Sequence, residues 1–271
     1  MKKILSTITL VLAACLLIVS LAACSQKKDL NTLVVAASST PHAEILKECV
    51  AEMEKRGYKL EIRIMDDYIT PNTATEDGEV GANYFQHTPY LDKFNAENKT
   101  HLVSVAKVHY EPLGIYAGVR KSLSELADGD KIVVPNDSTN EARALLLLEA
   151  NGLITLKKGA GVTATKADIE SNPHNFEILE VEAKLIASML DEAGVAVING
   201  NYAMEAGLKV SEALAIEAAD SEAAQTYANI LVVKEGHEND AAVKALAEIL
   251  CSDAIKNFIN SKYDKSVIPV K

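Results

Sequence analysis

The chain is 271 residues long, 48% hydrophobic and 24% charged, with a formal net charge of −11. A balance that acidic excludes nucleic acid and anionic lipid headgroups as natural partners, since both would repel it. The length supports one large domain or two modest ones, each with its own core.

The first 23 residues stand apart from the fold. Lys2 and Lys3 make a basic start, residues 4–19 an apolar run, and Leu21-Ala22-Ala23-Cys24 a small-residue processing site ending in cysteine. No charge follows Lys3 until Lys27, a pattern shared with membrane anchors. Cysteine directly after Leu-Ala-Ala, however, resembles the bacterial lipobox, whose cysteine is diacylated and becomes the new N-terminus. Residues 1–23 are thus expected to be a signal peptide, Cys24 the lipidation site and residues 24–31 a tether. A second Leu-Ala-Ala-Cys, at residues 12–15, has too little apolar chain before it. Processing removes two lysines and no acids, leaving 248 residues with a charge of about −13. The acyl chains then supply the attachment to the membrane. Cys49 and Cys251 remain, with no framework spacing, and two free, buried thiols are expected.

In the mature chain, "TLVVAASST" (32–40) reads as a buried strand, and Pro41 opens a helix over 41–56 that Gly57 stops. "YKLEIRIMD" (58–66) alternates as a second strand, so the chain begins β-α-β and favours a parallel sheet. Residues 69–98 hold a short helix, a strand-like stub near Ala82 and a helix from Pro89. Residues 102–120 are extended and interrupted at Pro112. A strand over 131–137 leads into a helix, strands follow at 176–182 and 195–200, and 227–235 is again extended. Residues 241–260 form a terminal amphipathic helix. The long extended runs, 102–120 and 227–235, are natural crossovers between two lobes. They make the first lobe discontinuous, 32–113 with 233–271, and the second 114–232. Ligands in such folds settle at the carboxyl ends of strands, in the cleft between lobes.

No G-x-S-x-G, H-E-x-x-H or P-loop pattern occurs, and an enzymatic role is not expected. His42, His87, His101 and His109 lack metal-site spacing, so neither a metal nor a cofactor is expected. One residue is out of place. In "PNDSTNEARALLLLEANG" (135–152), Ser138 and Glu141 have capping-box spacing and Asn151-Gly152 is a stop. Arg143 then lies near the positive end of the helix dipole, at a cost of roughly 0.3–1 kcal/mol. Polar residues 136–140 crowd the preceding loop, and a helix start with a guanidinium is an anion site. Arg143 is expected to meet a ligand's carboxylate, its dipole conflict relieved only when the cleft is filled. A second patch, "ANYFQHTPYLDKF" (82–94), concentrates aromatic residues in a chain only 5% aromatic. Tyr90 and Phe94 have the i, i+4 spacing of a core pair. Tyr84, Phe85 and His87 are read in the loop before them, where rings face a pocket, with Tyr68 in a similar loop. Such rings suit an apolar or thioether side chain.

The segments "SSTPHAEIL", "DDYITPN", "ANYFQHTPYLD", "EPLGIYAG", "VPNDSTNEARALLLLEANGLI", "DIESNPHNFEILEVEA", "VAVINGNYA" and "YANILVV" span nearly all of the mature chain. In this order, behind a lipobox, they resemble the NlpA-type methionine-binding lipoproteins, the substrate-binding components of methionine ABC importers. The resemblance implies an α/β, two-lobed periplasmic binding protein fold of class II type, with two crossover strands and the ligand closed between the lobes. It implies a monomer, lipid-anchored on the extracytoplasmic face of the cell membrane, that delivers methionine to an ABC importer permease and its ATPase. Carried over by position, Tyr68, Phe85 and His87 resemble the aromatic wall around the methionine side chain. Arg143, with Asn140, matches the carboxylate site, and Asn201 and Asn229 match the amides that hold the ligand's ends. L- or D-methionine, a methionine-containing dipeptide and another apolar amino acid remain open as ligands. So does a surface-adhesion role that keeps the fold without transport.

Overall fold

The computed structural model describes residues 31–218 and 226–270. The expected signal peptide, Cys24 and nearly all of the tether lie outside these residues. Among the described residues, no helix is long and apolar enough to cross a membrane.

The chain opens with strand β1 (Asn31–Ala37), helix α1 (His42–Lys55) and strand β2 (Tyr58–Ile64). Residues 35–37 of β1 are fully buried, as a strand covered on both faces requires. Helix α1 buries His42, Ile45, Leu46, Cys49 and Met53, the i, i+3/i+4 stripe of a helix lying on a sheet. Next come α2 (Thr70–Glu76), β3 (Ala82–His87), α3 (Thr88–Asn98) and β4 (Leu102–Tyr110). The second half of the chain supplies β5 (Gly114–Ala117), β6 (Lys131–Pro135), α4 (Ser138–Ala150), the hairpin β7 (Thr155–Leu156) with β8 (Ile169–Ser171), and β9 (Glu177–Val181). A 3₁₀ segment (Ala183–Glu192), β10 (Val195–Ile198), α5 (Gly200–Glu205) and β11 (Ala215–Ile216) follow. Strand β12 (Asn229–Lys234), α6 (Ala241–Leu250), α7 (Asp253–Lys262) and β13 (Ile268–Pro269) complete the fold.

These strands form two main sheets, one per lobe. The first has order β13-β4-β12-β3-β1-β2, the second β11-β5-β10-β6-β9. Within the first, β1 and β3 run parallel while β12 is antiparallel to both β3 and β4. In the second, β10, β6 and β9 run parallel and β5 is antiparallel to β10. The second sheet is covered on both faces. Ile132, Val134, Val195 and Val197 pack with α4, whereas the alternate residues Val133, Ala196 and Ile198 pack with the 3₁₀ segment and α5. The chain leaves the first sheet at residues 111–113 and returns between β11 and β12.

Several expectations are corrected. Strand β12, assigned by sequence mostly to the second lobe, pairs along its length with β4 and also with β3, so it belongs to the first sheet. The stub near Ala82 is a full central strand, buried throughout. Its polar Asn83 and Gln86 concealed it, because they are buried against Asn72 by amide hydrogen bonds and do not face water. The terminal helix is two helices, α6 and α7. Ser252 restarts the second by accepting from Ile255 N at 3.4 Å. The cap of α4 is Asp137, which accepts from Asn140 N at 3.0 Å, and Glu141 instead receives Lys166 N. At its far end Gly152, at φ +71°, takes the left-handed conformation that stops the helix. Both thiols are free, but only Cys49 is buried; Cys251 is exposed.

Candidate functional site

A pocket lies where the two sheets face each other. The first lobe contributes Tyr68 from the loop before α2, Phe85, Gln86 and His87 from the end of β3, Tyr90 from α3 and Asn229 from the start of β12. Asn140 and Arg143 come from α4, and Asn199, Gly200 and Asn201 from the turn between β10 and α5. Glu111 comes from the crossing segment. The parallel strands β3 and β10 both point their carboxyl ends at this cavity, the usual place for a ligand in such sheets.

One end is aromatic. Tyr68 lies 5.9 Å from Phe85, 5.7 Å from Tyr90 and 5.1 Å from Tyr202, centroid to centroid. The Tyr90 hydroxyl donates to Tyr68 O at 2.7 Å, holding the rings together. Tyr84, expected beside them, points into the core of the first lobe; strand alternation places Phe85 and Tyr84 on opposite faces.

The other end is polar. His87 Nδ1 accepts from Tyr90 N, so its proton sits on Nε2 and is donated to Asn140 Oδ1 at 3.2 Å. Burial, then the nearby Arg143 charge, lowers the His87 pKa to about 3, and the ring is neutral. Asn140 Oδ1 also accepts from Asn199 Nδ2, and Asn140 Nδ2 donates to Asp137, so this amide is engaged within the protein. Asn201 Oδ1 accepts from the Tyr68 hydroxyl across the cleft at 2.7 Å. Among the described residues, Asn199 Oδ1 and Asn201 Nδ2 are buried with no hydrogen-bond partner. A buried, unpaired polar atom costs roughly 1–3 kcal/mol, and here one acceptor and one donor belong to pocket-lining side chains.

Arg143 is 4% exposed and lines the pocket, not the bulk solvent. Its dipole conflict is nevertheless resolved without a ligand, contrary to expectation. Nε and Nη2 fork onto Glu217 at 2.7 and 2.5 Å, Nη2 also reaches Glu111 O at 2.8 Å, and the guanidinium stacks 4.6 Å from the Tyr227 ring. Burial alone would lower its pKa, but the Glu217 charge overrides this and raises it. Glu217 further accepts from the Tyr110 hydroxyl at 2.7 Å and Leu113 N at 3.0 Å, so it ties both crossing segments to the pocket wall. The Tyr110 hydroxyl also lies beside the guanidinium and, with Glu217, favours its charged form.

All seven sequence-nominated residues, Tyr68, Phe85, His87, Asn140, Arg143, Asn201 and Asn229, therefore line one cavity. Sequence missed Glu111, Asn199 and Glu217. Glu111 and Asn199 sat unremarked in quoted segments, "EPLG" and "VING"; Glu217 carries no local signal. It also missed that His42 and His109 converge. Their ring nitrogens and the Glu111 carboxylate lie within 4.8 Å of one another, the spacing of metal ligands. Here they are joined by hydrogen bonds: His109 Nε2 is 2.8 Å and His42 Nε2 3.3 Å from Glu111 Oε1, and His42 Nε2 is 2.9 Å from Asn229 Oδ1. Burial lowers the pKa of His42 to about 4 and of His109 to about 3.

Over residues 33–271 the chain matches the model of the NlpA lipoprotein family. It is 43% identical to the methionine-binding lipoprotein MetQ of Bacillus subtilis, covering 91% of this chain and 89% of that one. The crystal structure of a putative lipoprotein from Ruminococcus gnavus superposes with a TM-score of 0.88 at 56% identity, covering 89% of this chain and all of the other. A nutrient binding protein from Burkholderia cenocepacia, solved bound to methionine, gives 0.83 at 36% identity over 88% of this chain and all of its own. The two-lobed substrate-binding fold follows from both sheets and neighbours, and the chain belongs to the NlpA lipoprotein family.

Proposed function

We propose that the protein is the lipid-anchored substrate-binding component of an ABC importer, and that it encloses methionine between its lobes. The observation that carries this is the two-ended pocket. Tyr68, Phe85 and Tyr90 gather at one end; the Arg143 guanidinium and the unpaired Asn199 and Asn201 amide atoms stand at the other. A linear amino acid with a thioether side chain fits that division. Its sulfur gains about 0.3–1.5 kcal/mol against ring edges. Its carboxylate meets Arg143 and Asn201 Nδ2, a charge-assisted contact of about 1.5–3 kcal/mol. A sub-micromolar complex needs more than about 8 kcal/mol, and enclosure of the apolar chain supplies much of the remainder.

Attachment is through Cys24 on the extracytoplasmic face, and closure swings on the two crossing segments that Glu217 joins. Tyr68 to Asn201 and His87 to Asn140 are contacts made only when the lobes meet, so ligand and closure stabilise each other. The test is mass spectrometry of small molecules released on denaturing the purified protein, then calorimetry with L-methionine, D-methionine and methionine dipeptides. Released methionine and a sub-micromolar titration are expected. No released amino acid and no heat from any of these ligands would overturn the proposal.

A further inference from the structure

Helix α5 divides its side chains between the lobes. Tyr202 and Ala203 are buried in the core of the second lobe, in one cluster with Val133, Ala196 and Ile198. Asn201, Met204 and Glu205, spaced i, i+3 and i+4, share another face of the same turn. Each of these three meets the first lobe. Asn201 accepts from the Tyr68 hydroxyl, and Met204 packs against the apolar core beneath α1. Glu205 accepts from Ser39 Oγ and from the Thr40 N–H, in the loop between β1 and α1. That loop is held on its own side, because Ser39 N donates to Asp66 Oδ1 at 3.1 Å. The exchange is reciprocal: Tyr68, from the first lobe, packs against the core of the second.

Only Asn201 of the three lines the pocket; Met204 and Glu205 lie beyond it. The turn between them is stiffened by main-chain hydrogen bonds, Ala203 N to Asn199 O at 2.9 Å and Ala206 N to Tyr202 O at 3.0 Å. A shift at Asn201 is therefore carried to Glu205. Glu205 sits at the exposed rim, where a single hydrogen bond is worth little, but its acceptor is charged and Met204 adds apolar contact beside it.

We propose that Met204 and Glu205 form a clasp that sets how long the bound ligand is held, without touching it. This rests on the amino-acid reading of the pocket and extends it. The clasp contacts join the two lobes, so they exist only in the closed state and must break before the ligand leaves. A ligand that engages Asn201 seats the same helix on the first lobe, which couples occupancy to the clasp. Met204 and Glu205 are thus positioning residues that act through α5.

The experiment is release of radiolabelled L-methionine from the full mature lipoprotein in detergent, followed by rapid filtration, with calorimetry for affinity. Glu205→Ala and Met204→Ala should each speed release at least threefold, with the ligand-free melting temperature unchanged. Ser39→Ala should match Glu205→Ala, and the Ser39→Ala/Glu205→Ala double variant should release less than twofold faster than either single, because both remove the same bond. The affinity ratio of L-methionine to L-norleucine should stay at the wild-type value in every variant. Release within 1.5-fold of wild type in both Glu205→Ala and Met204→Ala would overturn the proposal. So would a ratio changed more than threefold, which would mean contact with the ligand, or a lowered ligand-free melting temperature in both variants, which would make the residues structural. Each of these results leaves the methionine reading intact. Absence of methionine binding to the wild type would overturn both.

Discussion

Replacing Arg143 by methionine removes a buried cation and keeps most of the aliphatic stem that packs in α4. Glu217 would then keep the hydrogen bonds from the Tyr110 hydroxyl and the Leu113 main-chain N–H. Breaking one side of a buried ion pair typically costs about 3–5 kcal/mol, because the surviving charge is uncompensated. The two neutral donors that remain place the expected loss near the lower end, about 3 kcal/mol. At about 2–4 °C per kcal/mol for a protein of this size, the midpoint should fall by about 6–12 °C. Adding Glu217→Gln should recover at least about 1 kcal/mol, since the orphaned charge is gone. Methionine affinity should stay at least tenfold down, about 1.4 kcal/mol, in both the single and the double variant. Thermal unfolding by circular dichroism and calorimetry read the two effects separately. A single variant as stable as wild type, or a double variant no better than the single, would refute the assignment of Glu217 as the principal partner of Arg143. Unchanged methionine binding would refute the role of Arg143 in holding the ligand.

Other consequences follow from the same geometry. Phe85→Ala should weaken methionine at least tenfold and alanine less than threefold; equal losses in calorimetry would make the ring structural only. His42, His87 and His109 have folded pKa values of about 4, 3 and 3 against about 6.5 when unfolded, so the unfolded chain binds more protons between these limits. Their stabilisation is complete above pH 6.5 and is lost as pH falls toward 4, by up to about 4 kcal/mol per pH unit, partly opposed by Glu111, whose raised pKa favours the folded state on protonation. Melting temperatures at pH 7.5 and 5.0 should therefore differ clearly, and equal values would contradict the buried neutral histidines. Burial pushes the Cys49 thiol up to about 12, whereas Cys251 is exposed. A maleimide should label Cys251 in the native protein and Cys49 only after unfolding; native labelling of Cys49 would contradict its burial.

The parts of this fold that depend on local pattern were legible in sequence. Apolar runs gave β1, β6 and β10, and the spaced stripe over Ile45, Leu46, Cys49 and Met53 gave α1. Where polar side chains are buried against one another, pattern misled. Asn83 and Gln86 made β3 look like loop because the network with Asn72 hides them from water, not the reverse. The residues nominated through the family resemblance come together around one pocket, yet its electrostatics were not legible. The placement of Arg143 pointed to a ligand's carboxylate, but the anion that meets it in this structure is Glu217, brought close by the return of the chain toward β12. Likewise His42, His109 and Glu111 meet only because α1 packs on the sheet that contains β4.

The most direct test of the pocket's orientation is an anomalous difference map from crystals of protein carrying ordinary methionine and soaked with selenomethionine. The selenium peak should fall among the rings of Tyr68, Phe85 and Tyr90, with the ligand's carboxylate toward Arg143. A peak on the Arg143 side of the pocket, on the protein surface, or nowhere would contradict the two-ended site.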